Sequence, residues 1–242
     1  MNNFEEYYNT FYKELAKLDA LGNTFDKIKT ILPPLKGNES VIDIGCGYGS
    51  VSYELIKRGH HVAAVEINKE AIEVLKAKGF EVFERDISKP LNISKKFDIV
   101  LILDVLEHLF DPYSLLKEAN KITKPGGVII VSVPLYFDIL DRLKILFTGS
   151  VISMDNLCYG EEIYKKFRSY NYDHIRFFRP KDIIEMGESL SYKIEKIEYV
   201  PTGYYGKSKL LKILVRFFAN KYTVNLNPNL LAHHMKIRWR VH

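Results

Sequence analysis

Cysteine is scarce, with two in 242 residues, Cys46 and Cys158. Two distant thiols make no disulfide framework and lack the close spacing of a zinc site, so neither a stapled secreted scaffold nor a zinc module is expected. No apolar run approaches the ~18 residues that a spanning helix needs. The first residues show no basic segment followed by an apolar one, the pattern of a secretory leader. These absences read as a cytoplasmic protein. Acid is missing from residues 199–242, which carry Lys207, Lys209, Lys212, Arg216, Lys221, Lys236, Arg238 and Arg240. The overall charge of +5 therefore sits at one end, and residues 1–198 sum to −3.

What is present is one domain's worth of core. At 242 residues and 47% hydrophobic, the chain suits a single unit near the upper size for one core. Punctuation divides it into an amino-terminal helical cap over 1–36, a substrate lid over 136–178, and a basic helix with a closing strand over 200–242. Helices are expected at 4–18 and 24–31, with Tyr7, Tyr8 and Tyr12 on one of them, then at 50–58, 68–78, 138–146 and 160–167. Asp111 and Pro112 start another, closed by the Lys-Pro-Gly-Gly run at 124–127. Strands are expected at 80–83, 97–103 and 128–133.

The densest chemistry lies at VIDIGCGYGS, residues 41–50. An apolar strand runs into Gly45, Gly47 and Gly49, whose spacing lets the turn bend sharply and brings a ligand against bare backbone. A dinucleotide fingerprint wants its third glycine one position later, where Ser50 stands, which disfavours a nicotinamide dehydrogenase. The next apolar run ends in Glu66, placed to accept ribose hydroxyls. Asp86 and Asp104 end later runs, so acids recur on the rim where open α/β sheets bind ligands.

VIDIGCGYGS, VAAVEIN, ERDI, FDIVLILDVLEHLFDP and ITKPGGVIIVSVP, in that order and spacing, resemble the motif series of class I S-adenosylmethionine-dependent methyltransferases over about residues 38–135. The resemblance implies an α/β, doubly wound, seven-stranded and mostly parallel sheet, with an antiparallel closing strand beside residues 192–199. It implies S-adenosylmethionine as cofactor, with Asp43, Gly45, Cys46, Gly47 and Gly49 at its methionine end. Glu66 with Ile67 would take the ribose, Asp86 with Ile87 the adenine, and Asp104 with Val105 the floor near the sulfonium. No metal is assigned.

The expected activity is O-methylation of a small-molecule, sugar or lipid-linked acceptor. An alcohol's proton must leave as the new bond forms, and His108 is the first candidate base, His174 the second. His174 lies in a His-x-Arg-Phe-Phe segment similar to one in methyltransferases linked to surface-glycan biosynthesis. Asp104, Glu107, His108 and His174 together also resemble the metal-binding set of RNA ribose methyltransferases, with Asp104 where those carry Glu. That is one alternative, and a cofactor-binding partner subunit without turnover is another. The basic tail would form an amphipathic helix, with Lys209, Lys212, Arg216 and Asn220 on one face and Leu210, Leu214, Phe217 and Phe218 on the other. It would suit an anionic membrane surface or a phosphate-bearing substrate. The plainer expectation is a helix docked on the sheet with a solvated basic face, and nucleic acid is the weaker partner.

Overall fold

The run before the glycines is a strand, β1 (Ser40–Ile44), and Val41, Ile42 and Ile44 are fully buried. The structure, a computed structural model, describes residues 25–149, 174–203 and 208–242. β1 lies between two parallel neighbours, β2 (His61–Glu66) and β4 (Phe97–Leu103). That placement is what a continuous β-branched run buried on both faces requires. β3 (Glu81–Glu84) flanks β2, and β5 (Thr123–Pro134) flanks β4, both parallel. β7 (Ala232–Arg240) then runs antiparallel between β5 and β6 (Lys193–Pro201). The order is β3-β2-β1-β4-β5-β7-β6, the seven-stranded, mostly parallel sheet expected.

Helices cover both faces. α1 (Asp26–Lys29), α2 (Tyr53–Lys57) and α3 (Lys69–Ala77) lie on one side, where Ile28, Leu55 and Leu75 pack on Val41, Val62 and Leu101. α4 (Pro112–Ile122) and α6 (Pro180–Ser189) lie on the other, where Leu115, Leu116 and Ile183 meet Ile42, Val65 and Ile102. α6 sits close to β7 because Gly187 lacks a Cβ, which would stand 2.5 Å from the buried Trp239 ring. Side-chain caps set the helix starts: Asn68 accepts from Ala71 N–H, Asp111 from Ser114 N–H, and Asp138 begins α5 (Ile139–Thr148).

Three expectations are corrected. α2 is shorter than 50–58, because residues 50–52 are used in turns before Ser52 starts the helix. Residues 124–127 do not end α4 but belong to β5, since Gly126 N–H donates to Val241 O and Val241 N–H to Gly127 O. The basic helix α7 (Lys209–Phe218) exists but buries little: Val215 within it and Ala219 just after it are covered, while its other apolar side chains are exposed. A short α8 (Pro228–Leu231) leads into β7. The tyrosines at 7, 8 and 12, the helices at 4–18 and 160–167, Cys158 and most of the lid lie outside the described residues. Among the described residues, no helix is long and apolar enough to cross a membrane.

Candidate active site

All three glycines of the turn have left-handed backbone: φ is +70° at Gly45, +55° at Gly47 and +68° at Gly49. Only glycine adopts these angles without strain. They answer to different neighbours. A Cβ on Gly49 would stand 2.6 Å from Leu75 and 2.7 Å from Phe80, so this glycine seats the turn on α3 and the start of β3. A Cβ on Gly45 would stand 3.0 Å from Val105, expected in the floor near the sulfonium, and 3.4 Å from Ile87, expected at the adenine. The loop is held from outside by Gly45 N–H to Val65 O at 2.8 Å and by Lys78 Nζ to Tyr48 O at 2.7 Å. Cys46 sits inside it, and burial pushes its thiol well above the usual range, so it stays protonated. Asp43 beneath is buried. Desolvation lifts its carboxyl to about 6, with the nearby Ser52 hydroxyl opposing and the Glu66 charge adding.

Glu66 ends β2 and is buried. One carboxylate oxygen accepts Gly47 N–H at 2.9 Å, and the other accepts Ile67 N–H at 2.8 Å and Asn68 N–H at 2.9 Å. A carboxylate offers about four acceptor positions, so these contacts leave capacity for a further donor. Ile67 beside it is 57% exposed, an apolar side chain on the rim. Asp86 is bound into its own turn, accepting from Ser88 N–H and Oγ and pairing with Lys89. The Ser88 hydroxyl first, opposed by some burial, holds its pKa low.

At the end of β4 the chain turns sharply. Asp104 has φ +55°, rare for a residue with a side chain. Its N–H donates to Ser132 O, and its Oδ1 accepts the Ser132 hydroxyl at 2.9 Å and meets His234 Nε2 at 2.7 Å. His234 comes from the start of β7, 130 residues away. Nothing in the local sequence marks it, since the contact joins residues distant in the chain.

Val105 is followed by a 3-10 turn, Leu106–His108, that places Glu107 inward at 1% exposure. Among the described residues, neither Glu107 carboxyl oxygen has a hydrogen-bond partner. His108 Nε2 lies 3.9 Å and His174 Nε2 4.0 Å from Glu107 Oε1, and the two rings meet edge to face with centroids 4.7 Å apart. His174 Nδ1 is bonded to the Tyr136 hydroxyl. The segment carrying His174 is tied down here: Ile175 and Arg176 N–H donate to Glu107 O at 2.9 and 3.0 Å, and the Arg176 guanidinium donates to Phe110 O. Burial first and Asp104's charge second push the Glu107 carboxyl far up, while burial and then His108 push His174 down to about 3.

The structure thus brings both expected bases together with Glu107. These three offer one ligand atom each within 4.8 Å of one another. One carboxylate and two imidazoles suit a first-row transition cation. Asp104, a ligand only in the metal-binding alternative, lies outside this group, its Oδ1 being engaged by Ser132 and His234. The rim also fits a nucleoside-sulfonium cofactor: bare left-handed backbone at Gly45 and Gly47, the Glu66 acceptor, and apolar Ile67, Ile87 and Val105.

Comparison with known proteins agrees. Residues 11–197 match the methyltransferase domain family Methyltransf_23. The ubiquinone biosynthesis O-methyltransferase of Aeromonas salmonicida is 26% identical over 156 residues, 62% of this chain and 60% of that protein. The matched segment thus spans less than two thirds of that curated relative. The enzyme of the same name from Stutzerimonas stutzeri is 26% identical over 198 residues, covering 72% of this chain and 80% of its own. An S-adenosylmethionine-dependent methyltransferase from Archaeoglobus fulgidus shares the fold at TM-score 0.62 and 20% identity, covering 95% of this chain and 99% of its own. A coclaurine N-methyltransferase bound to N-methylheliamine and SAH does so at 0.58 and 11%, covering 89% and 71%. The chain belongs to this methyltransferase domain family, and its fold is the one seen in the S-adenosylmethionine-dependent methyltransferase of Archaeoglobus fulgidus.

Proposed function

We propose that the chain methylates a hydroxyl oxygen of a small-molecule, sugar or lipid-linked acceptor beside Glu107, His108 and His174. The observation that carries this reading is the pair of imidazoles brought together just past Asp104 and Val105. S-adenosylmethionine supplies an activated methyl group when bound, so the chain's own work is to orient the acceptor, exclude water and remove a proton. An alcohol with a pKa near ~16 does not ionise unaided. His108 is the group we assign to take that proton. His174, bonded to Tyr136 and kept neutral by its burial, is a poor proton acceptor and serves to hold the neighbouring ring. The O-methyltransferase names of the curated relatives support an oxygen acceptor.

One observation favours a second reading. Among the described residues Glu107's two buried oxygens lack donors, and Glu107, His108 and His174 could hold a divalent cation, which would polarise the acceptor hydroxyl. The RNA ribose form of this reading needs Asp104 as a ligand as well, and its engagement by His234 weighs against it. One assay addresses both readings: labelled methyl from S-adenosylmethionine is offered to lipid, glycan and small-molecule fractions, with and without chelator. Label in a base-stable ether is the expected product. Label released as methanol by base, or recovered on nitrogen, overturns the hydroxyl acceptor. Full transfer in chelator rejects the cation, and loss restored by Mg²⁺ or Mn²⁺ establishes it.

A further inference from the structure

We infer that α7 is a docking surface for an anionic lipid bilayer, set at the rim of the active site. β6 ends with Pro201 opposite Ala232, the first residue of β7, and His234 lies opposite Pro134 at the carboxyl end of β5. The described parts of the connection between β6 and β7, residues 202–203 and 208–231, therefore join the sheet on the rim that bears Asp104, to which His234 reaches. Within it, Leu210, Ile213, Leu214, Phe217 and Phe218 are all exposed, Leu210 by 69% and Phe217 by 72%. At 100° per residue these five side chains form one continuous arc, bounded on one side by the buried Val215. A contiguous apolar face of this kind marks an interaction surface rather than scattered surface leucines.

Charge selects the occupant. Lys209, Lys212 and Arg216 lie along the other edge of the arc, spaced three and four residues apart. Among the described residues none of them forms an ion pair, whereas Lys236, Arg238 and Arg240 of β7 pair with Glu198 and Glu195. Apolar side chains beside an unpaired basic edge are the composition of a helix that lies in a bilayer interface, with the lysine and arginine stems reaching the headgroups. Three turns of helix span about 15 Å, too short to cross and sufficient to lie flat. A second copy docked face to face would bring two basic edges together, which charge disfavours. Docking does not depend on the acceptor. That a lipid-linked acceptor would be met at this rim is the part that rests on the O-methylation reading.

Vesicle flotation of the full chain tests the proposal without any turnover, so its failure leaves methyl transfer standing. The chain is expected to float with phosphatidylcholine vesicles containing about 30% phosphatidylglycerol, to stay behind with phosphatidylcholine alone, and to be released by about 0.5 M salt. Phe217→Glu should abolish flotation. Replacing Lys209, Lys212 and Arg216 together by Gln should weaken it about a hundredfold. Both variants should keep the wild-type thermal shift with S-adenosylhomocysteine, which shows that they are folded. Three results would overturn the inference: a wild type that does not float with anionic vesicles, folded variants that float like it, or a dimer by light scattering that Phe217→Glu dissociates.

Discussion

Glu66 has a structural role that its place in the sequence does not show. Its place some twenty residues past the glycines marks it as a ribose acceptor, yet its carboxylate also holds Gly47, Ile67 and Asn68 N–H, so it shapes the loop that would receive the ligand. We expect Glu66→Ala to weaken S-adenosylhomocysteine binding by at least about 1.5–3 kcal/mol, the worth of one charge-assisted bond, since the loop loses its anchor as well. Calorimetry reads this directly, and unchanged affinity would remove Glu66 from the site. Glycine spacing and the acids at strand ends were legible because backbone sterics and strand register are local properties. His234 was not, because its only signature is a contact with Asp104 across 130 residues. The double use of Gly49 was also hidden: its spacing suggests a ligand, and its surroundings are Leu75 and Phe80.

Elements with side-chain caps were the most readable. Asn68 and Asp111 announce α3 and α4 because their own oxygens bond the first free N–H groups, a signal confined to three residues. The ends of α2 and the use of residues 124–127 were less so, since the first depends on turns after the glycines and the second on pairing with Val241. For α7 the amphipathic pattern was plain, but what its apolar face meets is a tertiary fact. α5 carries a prediction of its own. Asp141 is buried, and desolvation with Asp138's charge raises its carboxyl to about 7, Lys144 partly opposing. The folded state thus holds this proton more tightly than the unfolded chain does, so stability is full below the unfolded value near 3.8 and falls as pH rises towards 7. Asp141→Asn should therefore stabilise the protein at pH 8 by about 1–3 kcal/mol and have no such effect at pH 4. Urea denaturation at the two pH values checks it, and an equal effect at both would refute the buried charge.

At the scale of the molecule, local pattern supplied alternating strands and helices, and resemblance supplied their order. The crossover that puts β4 beside β1 and the insertion of β7 between β5 and β6 are choices among long-range pairings that no single segment encodes. That order makes the site: it places the glycine turn after β1, Glu66 at the end of β2 and the Glu107–His108 turn after β4 on one rim, and lets residues 174–178 close over the last of these. The account stands on His108 as the group that takes the acceptor's proton, and the direct measurement is turnover of His108→Ala beside its affinity for S-adenosylhomocysteine. We predict turnover lowered by about 10²–10⁴ with affinity nearly unchanged. Turnover close to wild type in the same buffer would contradict it.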